Sequence, residues 1–491
     1  MENAGTAVAQ ALQDEFGIQG KRFLFICGIG NNGGDGMVAA RKLHSNGGEV
    51  VVGIVGDPDR CRGSAKMNFE IITRLSLTLI MLDTIDALHG LLAESDVIID
   101  ALIGTGLSRP VRSLHRKLIE TINASGKAVL SVDIPSGIHG DSGQIMGAAI
   151  QADLTVTFGL PKPGNMLPPG CNHCGKLYVS HISFPPNLHQ SDECKTQTNW
   201  PLPRDIHSRL SQTTASITAL MHPGTMAQGH TPLAFAHAFL RSGGTQVKLA
   251  YANAQRTSMG KDHDKIQFPP LHDPSLDAYD MLAWATPVDL VLLGPNLPDT
   301  HKFKPLSGQM LQKLEHPLLL DGEAIALARD HQEEIRKRSS ATILTPSLND
   351  LGRFFGMSTS DILASLLDHV RQMASTLKAF VVLKGTPIII CSPNGDVWIN
   401  KHTAEAEAND AAYQWMPVIL AAHLDPGIPI EHSVRLGAFV FSVALDHAQG
   451  GKSPKQAKSD EILENIPKVL QALGGERNQI HLERYEAAMV I

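Results

Sequence analysis

The chain is poor in cysteine and has no long hydrophobic run, no basic leader and no surplus of positive charge. Six cysteines, at positions 27, 61, 171, 174, 194 and 391, are scattered over 491 residues. That density argues against a disulfide framework and predicts reduced thiols. Cys171-Asn172-His173-Cys174 has the spacing of a zinc knuckle. A structural zinc needs more ligands than this, and the nearest further thiol is Cys194, so an ordinary loop is expected. No apolar stretch approaches the roughly 20 residues of a membrane-spanning helix. Met1-Glu2-Asn3-Ala4-Gly5 is not a basic leader followed by an apolar core, so no signal peptide, no membrane association and a cytoplasmic location are expected. The net charge of −7 argues against nucleic-acid binding, which would show as a basic surplus. A small-molecule ligand fits better.

What is present points to two α/β domains. The length exceeds the usual range of a single core, and 43% hydrophobic with 19% charged residues is ordinary for a globular chain. In the first part, apolar runs predict strands over 22–27, 49–55, 77–82, 97–99, 128–132, 154–158 and 176–181, with helical spacing over 65–75 and 114–123. Such alternation predicts a Rossmann-like doubly wound parallel sheet. The polar, proline-rich stretch 186–204 reads as a linker, dividing a domain of 1–185 from one of 205–491. The second domain repeats the alternation, with apolar runs at 290–293, 317–320, 342–344, 380–383 and 388–390, and ends in helices predicted over 415–424 and 433–448.

Three glycine-bearing loops follow predicted strands of the first domain. Gly28-Ile29-Gly30-Asn31-Asn32-Gly33-Gly34-Asp35-Gly36 comes after the run Phe23–Cys27 and before a helical stretch from Met37. Glycines let backbone approach a ligand, and the N-terminus of a helix offers free N–H groups and a positive dipole end to phosphate. The loop lacks the Lys-Ser/Thr of a nucleoside-triphosphate P-loop. A dinucleotide fingerprint needs a ribose-gripping acid about 20 residues on, and Asp57 and Asp59 lie further along. The second loop is Asp100-Ala101-Leu102-Ile103-Gly104-Thr105-Gly106-Leu107-Ser108-Arg109-Pro110, and the third is Ser131-Val132-Asp133-Ile134-Pro135-Ser136-Gly137. Singly, each is an unremarkable turn or helix cap. Together, at strand ends where open α/β sheets bind ligands, they predict one crevice for a polar, phosphorylated ligand. Asp133 stands where a general acid or base would, and Asn32, Asp100 and Ser136 are an all-oxygen set suited to a hard cation.

At these residues the chain resembles the NAD(P)H-hydrate epimerase family. The resemblance is carried by Met1–Gly5, Gly30–Gly36, Asp100–Pro110, Asp133–Gly137 and Thr157-Phe158-Gly159-Leu160-Pro161-Lys162-Pro163-Gly164, in the family's order. It implies a substrate, NADH or NADPH hydrated on the nicotinamide ring, whose R and S epimers at C6 are interconverted. It further implies that Asn31, Asn32, Gly33, Gly34 and Asp35, together with Gly104, Thr105, Gly106, Leu107, Ser108, Arg109 and Pro110, hold the phosphates and ribose. Asp133 would meet the reacting end, and Asn32, Asp100 and Ser136 would ligate potassium. Members usually carry about one further helix ahead of the Met1–Gly5 segment; either the start is miscalled or the domain is trimmed, and trimming would weaken dimer contacts or the outer wall of the site.

Residues 205–491 resemble the ribokinase-like dehydratase domain often fused to this epimerase. Gly294-Pro295-Asn296-Leu297, Leu319-Leu320-Asp321-Gly322-Glu323-Ala324 and Val382-Leu383-Lys384-Gly385 stand for its landmarks. Where the family has Thr-Pro-His-Pro-Gly-Glu, the chain reads Thr345-Pro346-Ser347-Leu348-Asn349-Asp350, and its Gly-Ser-Gly-Asp loop aligns with Ala411-Ala412-Tyr413-Gln414. A glycine anion hole stabilises the transferring phosphate and the aspartate deprotonates the hydroxyl, so a catalytically degenerate second domain is expected. ADP or ATP with magnesium would be used only if that domain were active. The competing expectations are a full bifunctional repair enzyme and a non-catalytic nucleotide-binding or scaffold protein. Self-association into a homo-oligomer is compatible with either.

Overall fold

The computed structural model describes residues 1–185, 196–198, 218–222, 232–249, 264–267, 288–294, 311, 314–385, 387–400, 410–449 and 459–474. They fall into two compact units, one within Met1–Asp192 and the other within Glu193–Ile480.

The first unit is a seven-stranded parallel sheet. Its strands are β1 (Arg22–Gly28), β2 (Glu49–Val55), β3 (Thr78–Met81), β4 (Val97–Ala101), β5 (Ala128–Val132), β6 (Leu154–Phe158) and β7 (Lys176–Ser180), in the order β3-β2-β1-β4-β5-β6-β7. Every predicted strand is present. Phe23 to Cys27 are fully buried because the sheet is covered on both faces. Phe23, Phe25 and Cys27 join a cluster with Val8, Leu12, Met37 and Leu43; Leu24 and Ile26 point the other way, to Leu88, Leu92, Leu118 and Ile122. Helices α1 (Glu2–Phe16) and α2 (Asn31–Ser45) thus cover one face, and α4 (Ile85–Glu94) and α5 (Ser113–Ala124) the other; α3 (Gly63–Ile72) packs beside α2.

Helix α2 begins at Asn31, not near Met37 as the sequence predicts. Gly30, extended at φ −89° and ψ −172°, is its N-cap, so Asn31 to Gly36 form the helix's first turns. Three glycines there would each cost roughly 1 kcal/mol in an isolated helix. Packing overrides that cost: a Cβ on Gly33 would stand 1.7 Å from the Gly28 carbonyl oxygen, and one on Gly36 2.5 Å from Ala101 Cβ. Gly33 and Gly36 thus let α2 pack close to β1 and β4, and Gly34 lets it approach Met1 and Ala65. Only Gly30 among the five has open space around it.

The second unit is a ten-stranded sheet built from β8 (Thr196–Thr198), β9 (Thr218–His222), β10 (Gln246–Leu249), β11 (Ile266–Gln267), β12 (Leu290–Leu293), β13 (Leu318–Asp321), β14 (Thr342–Thr345), β15 (Phe380–Leu383), β16 (Ile388–Cys391) and β17 (Val397–Asn400). The order is β11-β10-β9-β12-β13-β14-β15-β16-β17-β8. It is parallel through β15, then antiparallel across β16 and β17. Strand β8 falls within the stretch expected to be a linker and pairs with β17; the other residues of 186–204 lie outside the described ones. Alternate strand residues, Leu290, Leu292, Leu319, Ile343 and Val382, share a core with helices Pro232–Arg241, Met416–Ala422, Ile430–Gln449 and Ser459–Gly474. Helices Ala324–Asp330 and Leu366–Leu377 pack on β13 and β15 outside that core, completing an αβα sandwich.

Candidate functional site

The strand order reverses between β1 and β4, and in an open parallel sheet the crevice beyond such a switch point is where ligands bind. Asp100, near the end of β4, is 1% exposed. Its Oδ2 accepts from the Ser131 hydroxyl (2.8 Å) and the Ser136 N–H (2.9 Å), and its Oδ1 from the Ser136 hydroxyl (2.6 Å). Burial pushes the Asp100 carboxyl up, opposed by those hydrogen bonds. The Ile103 N–H donates to Ser136 Oγ at 2.8 Å, and the next residue, Gly104, lies so close to Asn32 that a Cβ would stand 3.1 Å from its side chain. The three proposed potassium ligands are therefore drawn into one cluster by residues 103–104.

Asn32 is buried, and neither its Oδ1 nor its Nδ2 has a hydrogen-bond partner. An orphaned amide costs about 1–3 kcal/mol. A hard cation taking the amide oxygen, beside a buried carboxylate and a hydroxyl, would relieve it. The residues present fit potassium. Cysteine and histidine offer no comparable set: among the described residues no three His, Cys, Asp or Glu side chains converge. In the zinc-knuckle stretch, His173 Nδ1 lies 3.0 Å from the Ile150 carbonyl oxygen and the buried Cys174 thiol donates to the Gly170 carbonyl. Cys194 lies outside the described residues.

Asp133 follows β5 with φ at 69°, the left-handed region that non-glycine residues rarely occupy. Its N–H donates to the Val156 carbonyl (2.7 Å), and the Asn165 amide donates to its carbonyl (3.3 Å). Its Oδ1 accepts from Thr157 Oγ1 (3.0 Å), the Phe158 N–H (3.3 Å) and Lys162 Nζ. The side chain stays 15% exposed. Thr157 and Lys162 belong to the Thr157–Gly164 motif, yet the sequence gives them no role. The signal available was a lone lysine shortly after a strand end.

The other predicted residues line the same edge. Asn31 is exposed at the start of α2, and the first intrahelical bond runs from the Gly34 N–H to the Gly30 carbonyl (3.0 Å), leaving the earlier N–H groups without one. Gly33 and Gly34 are buried, Gly33 by helix packing. Burial, reinforced by Asp133, pushes the Asp35 carboxyl up to about 7 against the pull of the N-terminal ammonium and Lys162. Thr105, Gly106, Ser108, Arg109 and Pro110 are exposed and Leu107 is half-buried, in a loop that ends where α5 begins.

In the second unit, Asp321 ends β13, Thr345 ends β14 and Lys384 follows β15. Asp321 Oδ1 accepts from Thr345 Oγ1 (2.6 Å) and Lys384 Nζ, while its buried Oδ2 has no partner. Ser347 and Asp350 form a reciprocal capping box on the helix Leu348–Phe355, so the residues at the altered Thr-Pro-His position serve the helix end. Asp410–Trp415 is a tight helical turn running directly into Met416–Ala422. Its Ala412, Tyr413 and Trp415 are buried; the Tyr413 ring centroid is 5.7 Å from that of Phe441, and Trp415 is 5.2 Å from Phe235. Of the four residues expected to align with the glycine loop, Ala412 and Tyr413 are core and Gln414 is half-buried.

Comparison with known proteins agrees with this division. Residues 1–164 match the family model described as YjeF-related protein N-terminus, and residues 232–410 match the one described as NAD(P)H-hydrate dehydratase. A bifunctional NAD(P)H-hydrate repair enzyme of Thermofilum pendens is 36% identical over 493 residues, covering 99% of this chain and 94% of that protein. One of Moorella thermoacetica is 29% identical over 494 residues, covering 96% and 92%. An ADP/ATP-dependent NAD(P)H-hydrate dehydratase structure from Bacillus subtilis is similar at 18% identity and a TM-score of 0.43, covering 56% of this chain and 99% of that one. By its likeness to relatives along nearly its whole length, the chain belongs to the family of bifunctional NAD(P)H-hydrate repair enzymes.

Proposed function

We propose that the first unit interconverts the R and S epimers of hydrated NADH or NADPH and that the second unit no longer dehydrates them. The observation that carries the first half is Asp133, held in a strained backbone conformation by four neighbours with one carboxyl oxygen open. That carboxyl delivers a proton to the C6 hydroxyl; the C6–O bond breaks as the ring nitrogen's lone pair forms an iminium, and water departs. Water then adds to either face of C6 and its proton returns to Asp133. The start of α2 and the loop 104–110 hold the phosphates and ribose. Asn32, Asp100 and Ser136 would hold potassium, which would supply fixed positive charge to the site.

For the second unit, buried Ala412 and Tyr413 stand where the glycines of an anion hole would be expected, and Gln414 takes the place of the base. Binding of ADP or ATP without turnover is compatible with Asp321, Thr345 and Lys384 being in register. Incubation of the purified chain with pure R-hydrate, followed by chromatography, tests the epimerase. Appearance of S-hydrate above the spontaneous rate supports it, and its absence refutes it.

A further inference from the structure

We infer that Lys162 is a positioning residue that fixes which oxygen of Asp133 exchanges the proton, an inference that rests on the epimerase reading above. The argument is one of counting donors. A lysine ammonium carries three N–H groups, and Lys162 Nζ has three acceptors: Asp133 Oδ1, Thr157 Oγ1 at 3.0 Å and the Phe158 carbonyl oxygen at 2.9 Å. No N–H is left over for a substrate. Lys162 therefore acts through Asp133 and does not bind the hydrate.

Asp133 Oδ1 accepts three hydrogen bonds, from Lys162, from Thr157 Oγ1 and from the Phe158 N–H. Thr157 uses its oxygen to accept from Lys162 and its proton to donate to Asp133, so the three groups form a closed ring. An oxygen facing three donors has no room for a proton of its own. When Asp133 is protonated the proton sits on Oδ2, and Oδ1 is the carbonyl oxygen that the same donors continue to bind. The clamp needs no rearrangement between the two protonation states, which suits a group that gives a proton and takes it back. Lys162 is held in turn: Asn165 Oδ1 accepts from its N–H at 2.9 Å, and the Asn165 amide donates to the Asp133 carbonyl.

The test is steady-state epimerisation by the full chain and its K162M, K162R and T157V variants, with the unfolding midpoint of each measured alongside. K162M removes all three donors at similar length; kcat is expected to fall about 100-fold with KM changed less than about threefold, the signature of a group acting only on the transition state. K162R, which restores the charge, is expected to recover part of that loss. T157V leaves the lysine in place and is expected to lower kcat about tenfold at unchanged KM. K162M with kcat within about twofold of the parent overturns the inference, as does a rise in KM at constant kcat, which would make Lys162 a substrate ligand. If K162M fails to fold, T157V decides: an unchanged kcat refutes the clamp. A parent chain that does not interconvert the epimers refutes the epimerase reading and takes this inference with it, whereas an active parent with indifferent variants refutes the inference alone.

Discussion

In the first unit Asp133 accepts from Thr157 and Lys162 at the carboxyl ends of β5 and β6, and 15% of its side chain meets solvent. In the second, Asp321 accepts from Thr345 and Lys384 at the carboxyl ends of β13, β14 and β15, and 1% does. Both clusters place a carboxylate, a threonine hydroxyl and an ammonium at the carboxyl edge of a parallel sheet. The difference lies in their surroundings. Asp133 lies at the same sheet edge as the largely exposed loop 104–110 and the start of α2, whose first N–H groups make no intrahelical bond. In the second unit the segment expected to align with a glycine loop carries the buried Tyr413, with the buried Trp415 just after it. Both sheets thus fix a similar triad of side chains at their edge; under the proposed function the two units differ in whether the neighbouring backbone is open to an anion.

The comparison breaks most visibly if Asp133 is not the proton carrier. D133N is expected to lower R/S interconversion about 1,000-fold or more while hydrate binding, followed by equilibrium titration, is kept. Turnover close to the parent's would remove the first unit's claim. In the second unit W415A is expected to destabilise by about 3–5 kcal/mol, because the ring is buried against Phe235. It should appear as a lowered denaturant midpoint with epimerase activity unchanged below the transition. A negligible loss would mean that the segment is not core.

The cation site gives a smaller effect. Potassium at about 100 times its dissociation constant is expected to stabilise the folded chain by about 2.7 kcal/mol, read as a raised melting temperature. N32A should abolish the response, since the orphaned Asn32 amide is the ligand that the cation would satisfy. Asp35 gives the smallest. Its folded pKa of about 7 lies above the ordinary 3.8, so the folded chain binds the proton more tightly than the unfolded one. That contribution to stability is present below about pH 4 and is lost as pH rises through about 7. D35N should flatten this part of the melting temperature against pH; an unchanged slope would contradict the assigned shift.

The strands of the first sheet were legible because a parallel strand buried on both faces reads as an unbroken apolar run, as Phe23 to Cys27 does. The three strand-end loops were legible for the same reason, since each begins where such a run stops. What α2's glycines do was not legible. Gly33 and Gly36 look like ligand-facing glycines in one dimension, and only the approach of α2 to Gly28 and Ala101 reveals them as packing positions. Lys162 escaped because its partner Asp133 is 29 residues away and meets it only through the pairing of β5 with β6. The capping box of Ser347 and Asp350 can be recognised from spacing, but here the altered family motif drew attention to what was missing. The tight turn Asp410–Trp415 shows the limit in the other direction: the absence of glycine there was readable, the burial of Tyr413 and Trp415 was not.

The account stands or falls on one time course. Pure S-hydrate is incubated with the full chain, magnesium and ADP or ATP, and R-hydrate, S-hydrate and the reduced nucleotide are resolved by chromatography. The expected result is R-hydrate appearing toward equilibrium with S while the reduced nucleotide forms no faster than without protein. Reduced nucleotide accumulating in step with the added ADP or ATP, or S-hydrate persisting without R, would contradict it.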